Sequence, residues 1–396
     1  MMATLDCEGR HNRGPIPDAP LMKEPTVSVN LRIPGPTPCP DDVLQAMSRQ
    51  MINHRGPEFK EMLARITSAL QRMFETKNDV LTLTSAGTGA LEAAVVNTLS
   101  PGDRVLCVSI GVFGDRFADI AKTYGVTVEK LSFDQGTAAD PAQVAEALGK
   151  DASYKAVLVT HNETSTGVTN DLGAIAKATR GVRPDILILV DAISSLGSVP
   201  LPIDEWDLDV VFTGSQKGWM VPPGMAMVAV SERAWKAADE ARIPRYYFDY
   251  KKAKSYLEKG ETPWTPAVSV YFAMDVALVK LEAEGLQHIH ARHARLGQFT
   301  RDSVKKLGLK LLADERVASN TVTSVLVPEG VDGPSLNKMM REEYNTVLAG
   351  GQGPLTGKIF RIGHLGMVTQ DDLQACFDAL SQALPRVGFS PVAAAR

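Results

Sequence analysis

Seven short apolar runs rich in β-branched residues recur between helix-like segments, and this alternation constrains the fold more than any other feature. They are VLTL (80–83), RVLCVSI (104–110), VTVEKL (126–131), KAVLVT (155–160), DILILV (185–190), DVVFTG (209–214) and MAMVAV (225–230). Between most of them lie segments such as GALEAAVVNTL (89–99) and DPAQVAEALG (140–149), with apolar residues at helical spacing. Apolar strands alternating with helices predict an α/β fold, a mostly parallel seven-stranded sheet covered by helices on both faces.

Upstream, IPGPTPCP (33–40) favours extended backbone, because each proline fixes φ and restricts the residue before it. Asp41 or Asp42 is then expected to cap a helix presenting Val43, Leu44, Met47 and Met51 on one face. A second helix is expected over Glu58 to Phe74, with Phe59, Met62, Leu63, Ile66, Leu70 and Met73 at i, i+3, i+4 spacing. Past residue 285 the texture changes. A long helical stretch (286–307) precedes TVTSVLV (321–327), a helix near Leu336 to Tyr344, KIFRIG (358–363) and a final amphipathic helix (370–384). The predicted organisation is an extended arm (1–31), a large domain (32–285) and a smaller C-terminal α+β domain (286–396).

Composition excludes several classes. The 42 Lys and Arg residues against 46 Asp and Glu give a net charge of −4, which offers no general attraction to nucleic acid or anionic lipid. No stretch approaches the roughly 18–20 uninterrupted apolar residues of a membrane span. MMATLDCEGRHNRG lacks the apolar core of a signal peptide, so a cytoplasmic enzyme is expected. Cys7, Cys39, Cys107 and Cys376 lie far apart without a CxxC pair, predicting neither a disulfide framework nor a metal site.

In such sheets ligands bind beyond the carboxyl ends of strands. Three ends stand out. VLTLTSAGTGALEAAVVN runs from strand through Gly87 and Gly89 into a helix, whose free N–H groups suit an anion. Alone it reads as an ordinary strand–helix turn. Asp191 ends the run DILILVD, where a carboxylate wants a cationic partner or serves as a helix cap. Lys217 follows DVVFTGSQ in a turn of small residues, and alone reads as a surface charge. One chemistry needs all three: pyridoxal 5′-phosphate requires a Schiff-base lysine, an acid facing its ring nitrogen and an anion cup for its phosphate.

THNETSTG (160–167), LVDAISSLG (189–197) and TGSQKG (213–218) resemble the class V, fold-type I aminotransferases, within them the alanine–glyoxylate and serine–glyoxylate group. The resemblance extends through PGPTPCP, NHRGPEF (53–59), ARHARLG (291–297), SNTVT (319–323) and GKIFRIGHLG (357–366), covering nearly everything after the first thirty or so residues. It implies Lys217 as the Schiff-base lysine, Gln216 as its phosphate-contacting neighbour, Asp191 as the pyridinium partner and Ile193 packing under the ring. Ala86, Gly87 and Thr88 match the phosphate cup, Phe113 the aromatic stacked on the cofactor, and Thr164 the hydroxyl that contacts its phenolic oxygen or the substrate. Arg361 matches the clamp on the substrate α-carboxylate, a role its planar fork suits. Standing alone, it would be a surface arginine on an edge strand. His161, Asn162 and Glu163 read mainly as loop scaffolding.

The resemblance further implies a homodimer with shared active sites. Thr265 matches a phosphate ligand given across the dimer, and His54 and Arg55 fall in a segment reaching the partner's substrate pocket. Two positions depart from the pattern: His54 replaces a Tyr of the serine–glyoxylate members, and Thr262 stands where some members have Tyr. The implied activity is ping-pong transfer from alanine, serine or aspartate to glyoxylate, giving glycine and a 2-oxo acid. The alternatives are a cysteine desulfurase-like lyase, for which no cysteine is a convincing persulfide carrier, an aminotransferase with another acceptor, and a non-catalytic subunit retaining the fold. A nicotinamide dehydrogenase is disfavoured because the glycine fingerprint is absent.

Overall fold

The computed structural model describes residues 29–389. Its strands are β1 (Asn30–Arg32), β2 (Asp79–Ser85), β3 (Arg104–Ser109), β4 (Thr127–Ser132), β5 (Tyr154–Thr160), β6 (Asn162–Glu163), β7 (Val168–Thr169), β8 (Leu187–Asp191), β9 (Val210–Gly214), β10 (Gly224–Val230), β11 (Val322–Leu326), β12 (Thr346–Gly350) and β13 (Ile359–Gly363). All seven apolar runs join one sheet in the order β2-β10-β9-β8-β5-β3-β4. Only β10 runs antiparallel to its neighbours, β2 and β9. Strands β2 and β9 therefore point the same way, and the carboxyl ends of β2, β3, β5, β8 and β9 share one edge.

The strands read as unbroken apolar runs because both faces are covered. On β5, Val157 and Val159 join the cluster that holds Phe59, Ile66 and Trp219, whereas Ala156 and Leu158 join the one that holds Leu91, Phe117 and Phe212. The edge strand β4 departs from this rule, since its Glu129 and Lys130 are exposed, as suits a sheet edge that must not recruit another strand.

The helix Pro57–Met73 buries all six apolar residues predicted for its core face. The preceding helix is shorter than its periodicity suggested. It spans Asp41–Met47, has Pro40 at its N-cap and no side-chain cap, and leaves Leu44 47% exposed. Met51 lies beyond its end and is 55% exposed. Apolar spacing marks a helix face but not what covers it.

A second sheet, ordered β1-β12-β13-β11, carries its own core of Leu296, Val304, Leu336, Phe360, Ile362, Leu373 and Phe377. The helices Leu286–Lys306, Gly333–Glu343 and Gln370–Arg386 supply much of that core. Strand β1 pairs in parallel with β12, Asn30 opposite Thr346 and Arg32 opposite Leu348. From the sequence, an arm ending at residue 31 and a large domain starting at Arg32 are expected. The structure instead gives Asn30–Arg32 to the C-terminal sheet, through a pairing more than three hundred residues away that local pattern cannot announce. The rest of the predicted arm, residues 1–28 with Cys7, lies outside the described residues. Among the described residues no helix is long and apolar enough to cross a membrane.

Candidate active site

Strand β8 delivers Asp191 to the common edge with 4% of its surface exposed. One carboxylate oxygen accepts the Ile193 N–H at 3.0 Å, which turns the chain sharply after the strand. Burial pushes the Asp191 carboxyl up to about 7. The Glu163 carboxylate adds to the rise, and the Ile193 N–H, Lys217 and Arg116 oppose it. A buried acid this easily protonated is poised to ionise against an introduced cation.

Strand β9 runs on through Ser215 and Gln216 to Lys217. Burial of the Lys217 amine pushes its pKa down to about 8; Asp191 opposes the fall, while Arg361 and Arg116 add to it. The Lys217 backbone is held from the Pro-rich segment: Thr37 donates its hydroxyl to the Lys217 carbonyl at 2.9 Å and its N–H to the Gln216 carbonyl at 3.1 Å.

Between these two lies an open helix end. The helix Gly87–Thr98 starts after Ala86, which has no capping side chain, and the Gly87 and Thr88 N–H groups have no partner among the described residues. Most other helices are closed at this end, by Asp140, Asp171, Ser231, Asp249, Asp332 or Thr369. Beside the open end, the Gln216 side-chain oxygen is buried without a partner. A Cβ on Gly87 would meet Ile193 Cδ1 at 2.5 Å, so the glycine lets that side chain close against the turn. Two free N–H groups, a helix dipole and an orphaned amide suit a phosphate.

Helix Val112–Thr123 is closed by a buried carboxylate from elsewhere. Glu163 accepts the N–H groups of Phe113 at 2.9 Å and Gly114 at 3.1 Å through one oxygen, and both donors of Ser165 through the other. Burial raises the Glu163 pKa despite these bonds. Scaffolding was the role expected of Glu163, and capping the helix that carries Phe113 is a specific form of it.

Arg361 is 4% exposed on β13, which lies between β12 and β11. It is no edge-strand arginine. It donates from Nε to the Gly350 carbonyl at 2.9 Å and from Nη1 to the Thr164 carbonyl at 3.0 Å, while Nη2 has no hydrogen bond among the described residues. Burial lowers its pKa to about 10, and Glu163 opposes the fall.

Ala86, Gly87, Thr88, Phe113, Thr164, Asp191, Ile193, Gln216 and Lys217 together line one cavity of about 150 Å³. Phe113 is half-buried there rather than part of a core cluster. Three further lining residues were not assigned a site role from the sequence: Arg116, Asn162 and Ser194. Arg116 stands three residues after Phe113, with its guanidinium carbon 4.7 Å from the ring centroid, and that i,i+3 spacing was the available signal. Asn162 donates to Ser194 and Thr321 at 2.8 and 2.9 Å, pinning the loop after β5 to the turn after β8.

Arg361 stands behind Thr164 rather than in the lining. The remaining predicted residues lie elsewhere: Thr265 and Arg55 are exposed and His54 is half-buried, all outside the cavity. They belong to adjoining segments, because Arg55 and Lys60 reach Glu261 at 2.6 and 3.2 Å. Thr262 is buried and donates to the Trp264 carbonyl at 2.8 Å.

A model of the family described as aminotransferase class V matches residues 29–367. The chain belongs to the class V aminotransferases. The resemblance read from its motifs is borne out, and this class V aminotransferase is a pyridoxal 5′-phosphate-dependent transaminase. It is 44% identical to a protein named soluble hydrogenase, small subunit, from Synechococcus sp. (strain PCC 6716), over 91% of this chain and 94% of that one. It is 39% identical to a serine–glyoxylate aminotransferase of Methylorubrum extorquens, over 85% of this chain and 86% of that one. The solved structure of ureidoglycine–glyoxylate aminotransferase from Bacillus subtilis matches with a TM-score of 0.88 at 29% identity, covering 94% of this class V aminotransferase and 97% of that chain.

Proposed function

We propose that this aminotransferase moves the amino group of a small L-amino acid (alanine, serine or aspartate) to glyoxylate, giving glycine and a 2-oxo acid in two half-reactions. The observation that carries the reading is a cavity of about 150 Å³ walled by Lys217, Asp191 and Thr164, with one buried guanidinium, Arg361, directly behind it. Relatives named for serine–glyoxylate and ureidoglycine–glyoxylate transfer point the same way.

Pyridoxal 5′-phosphate, when bound, supplies an aldehyde that captures amines and a ring that accepts electrons. Gly87, Thr88 and Gln216 are the residues we assign to its phosphate, with Ala86 beside them. Phe113 and Ile193 would pack on its ring, Thr164 would hydrogen-bond its phenolic oxygen or the substrate, and Asp191 would pair with its protonated ring nitrogen. Lys217, released by the incoming amino acid, takes the proton from substrate Cα at Nζ. In the second half it returns one to Cα of the new glycine. An amine of pKa about 8 is suited to both tasks near neutrality. Arg361 orients the substrate by its α-carboxylate, with the fork held flat by the Thr164 and Gly350 carbonyls.

Thr265, His54 and Arg55 lie outside their own chain's cavity on adjoining segments, which supports a homodimer in which they serve the partner's site. Desulfuration is disfavoured by the cysteines among the described residues: Cys107 and Cys376 are buried with thiols pushed up to about 12, and the Cys39 thiol is raised as well. Purified protein given glyoxylate and a panel of amino acids should form glycine from alanine, serine or aspartate. Acceptance only of 2-oxoglutarate or another larger oxo acid would overturn the acceptor while leaving the class intact.

A further inference from the structure

The Lys217 amine has a docking point outside the cofactor pocket. Its Nζ donates to the Pro34 carbonyl at 2.5 Å. The next residue, Gly35, has φ +115°, a conformation that L side chains rarely adopt, and a Cβ there would lie 2.6 Å from both Nζ and Cδ and 2.8 Å from Cε. The lysine end thus lies directly over a bare backbone. The same segment fixes the two ends of the site relative to one another. Thr37 holds the backbone of Gln216 and Lys217, and the Ile33 carbonyl comes so close to Gly363, two residues after Arg361, that a Cβ there would meet it at 2.1 Å.

We propose that the Pro34 carbonyl and the bare Gly35 backbone form a berth for the free ε-amine of Lys217, occupied while the lysine is neither bonded to the cofactor nor moving the Cα proton of the substrate. This rests on the assignment of Lys217 as the cofactor-bonding lysine. A transaminase cycle frees this amine in the first half-reaction and takes it up again at the end of the second, and a free amine in a buried pocket needs an acceptor of its own. A carbonyl can only accept, so it favours the ammonium form and counters part of the loss of basicity that burial imposes. Gly35 is then required for the lysine's passage as well as for the turn. No hydrogen bond to the Gly35 N–H is present among the described residues, so that group can be removed without breaking one.

The test replaces Gly35 by glycolic acid through nonsense suppression, which turns the Pro34 carbonyl into an ester, a poorer acceptor, and adds no atom to the turn. In the full-length protein freed of cofactor, competitive acylation followed by peptide mass spectrometry gives the Lys217 titration curve directly. The ester should lower the apparent pKa of Lys217 and raise its acylation near pH 7 about threefold to tenfold, with other lysines unchanged. In the cofactor-loaded enzyme it should shift the half-reaction equilibrium with alanine by a similar factor, away from the amine form of the cofactor, the one that leaves the lysine free. Gly35→Ala, if folded, should do the same more strongly. An unchanged Lys217 titration curve together with an unchanged half-reaction equilibrium would overturn the berth. Labelling of a different lysine by cofactor and borohydride would instead overturn the assignment of Lys217, so the two failures are distinguishable.

Discussion

Arg361 donates from Nη1 to the Thr164 carbonyl at 3.0 Å, so the guanidinium proposed for the substrate carboxylate is held by the loop proposed to contact the cofactor. Glu163, the residue before Thr164, caps the helix that carries Phe113. One short segment thereby joins the second sheet, the cavity wall and the helix that carries Phe113.

Arg361→Lys should keep a positive charge and lose the planar fork, with its two carbonyl anchors and its free edge. We expect KM for the amino donor to rise at least about tenfold, with a smaller change in kcat. Steady-state kinetics across the donor panel measures this. An unchanged KM would place carboxylate recognition elsewhere.

Glu163→Ala should leave the Phe113 and Gly114 N–H groups unpaired and the Ser165 donors without their acceptor. The expected cost is about 2–4 kcal/mol, seen as a thermal midpoint lower by ~2–5 °C. Cofactor affinity should weaken with it, because Phe113 loses its anchored position. Calorimetry with and without cofactor separates the two effects.

Asp191→Asn preserves an acceptor for the Ile193 N–H but removes the charge. Turnover should drop by at least about a hundredfold while the cofactor stays bound, since the ring would lose the partner proposed to keep its nitrogen protonated. Lys217 should also become more acidic, because Asp191 is the group that raises its pKa. Cofactor content by absorbance and kcat against pH report the two results.

Acid should unfold the protein partly through buried imidazoles. Burial holds His161 and His293 down to about 4 and His364 to about 3, against 6.5 when unfolded. His293 accepts the Gly366 N–H at 3.2 Å, which requires a neutral ring. Below about pH 6.5 the unfolded chain binds protons that the folded one refuses, so this contribution is present above 6.5 and is lost as pH falls toward 4. Denaturant titrations should show stability falling over that window, by at least about 2 kcal/mol in sum. His293→Gln, which can still donate and accept, should flatten the slope.

Much of this was readable in the residues for a physical reason. Strands covered on both faces must be apolar at every position, so β2, β3, β5, β8, β9 and β10 declare themselves. Their carboxyl ends then bring Asp191 and Lys217 forward as a set with the Gly87 turn, and the family resemblance adds Gln216. Pairings between distant segments were not readable. Nothing near Asn30 signals that it lies beside Thr346, and nothing near Arg361 signals that β13 is an interior strand. The exposed Leu44 and Met51 show the converse, a helical spacing that this chain's own core does not use. Arg116 escaped because a lone arginine on a helix has a plain explanation until Phe113 is seen beneath it.

One lysine, at the meeting of these strand ends, is proposed to bond the cofactor. Borohydride reduction of the cofactor-loaded protein, followed by peptide mass spectrometry, tests it most directly. A single modified peptide carrying the cofactor on Lys217 is expected, and no modification in Lys217→Ala. Cofactor fixed to any other lysine, in this protein or in Lys217→Ala, would contradict it.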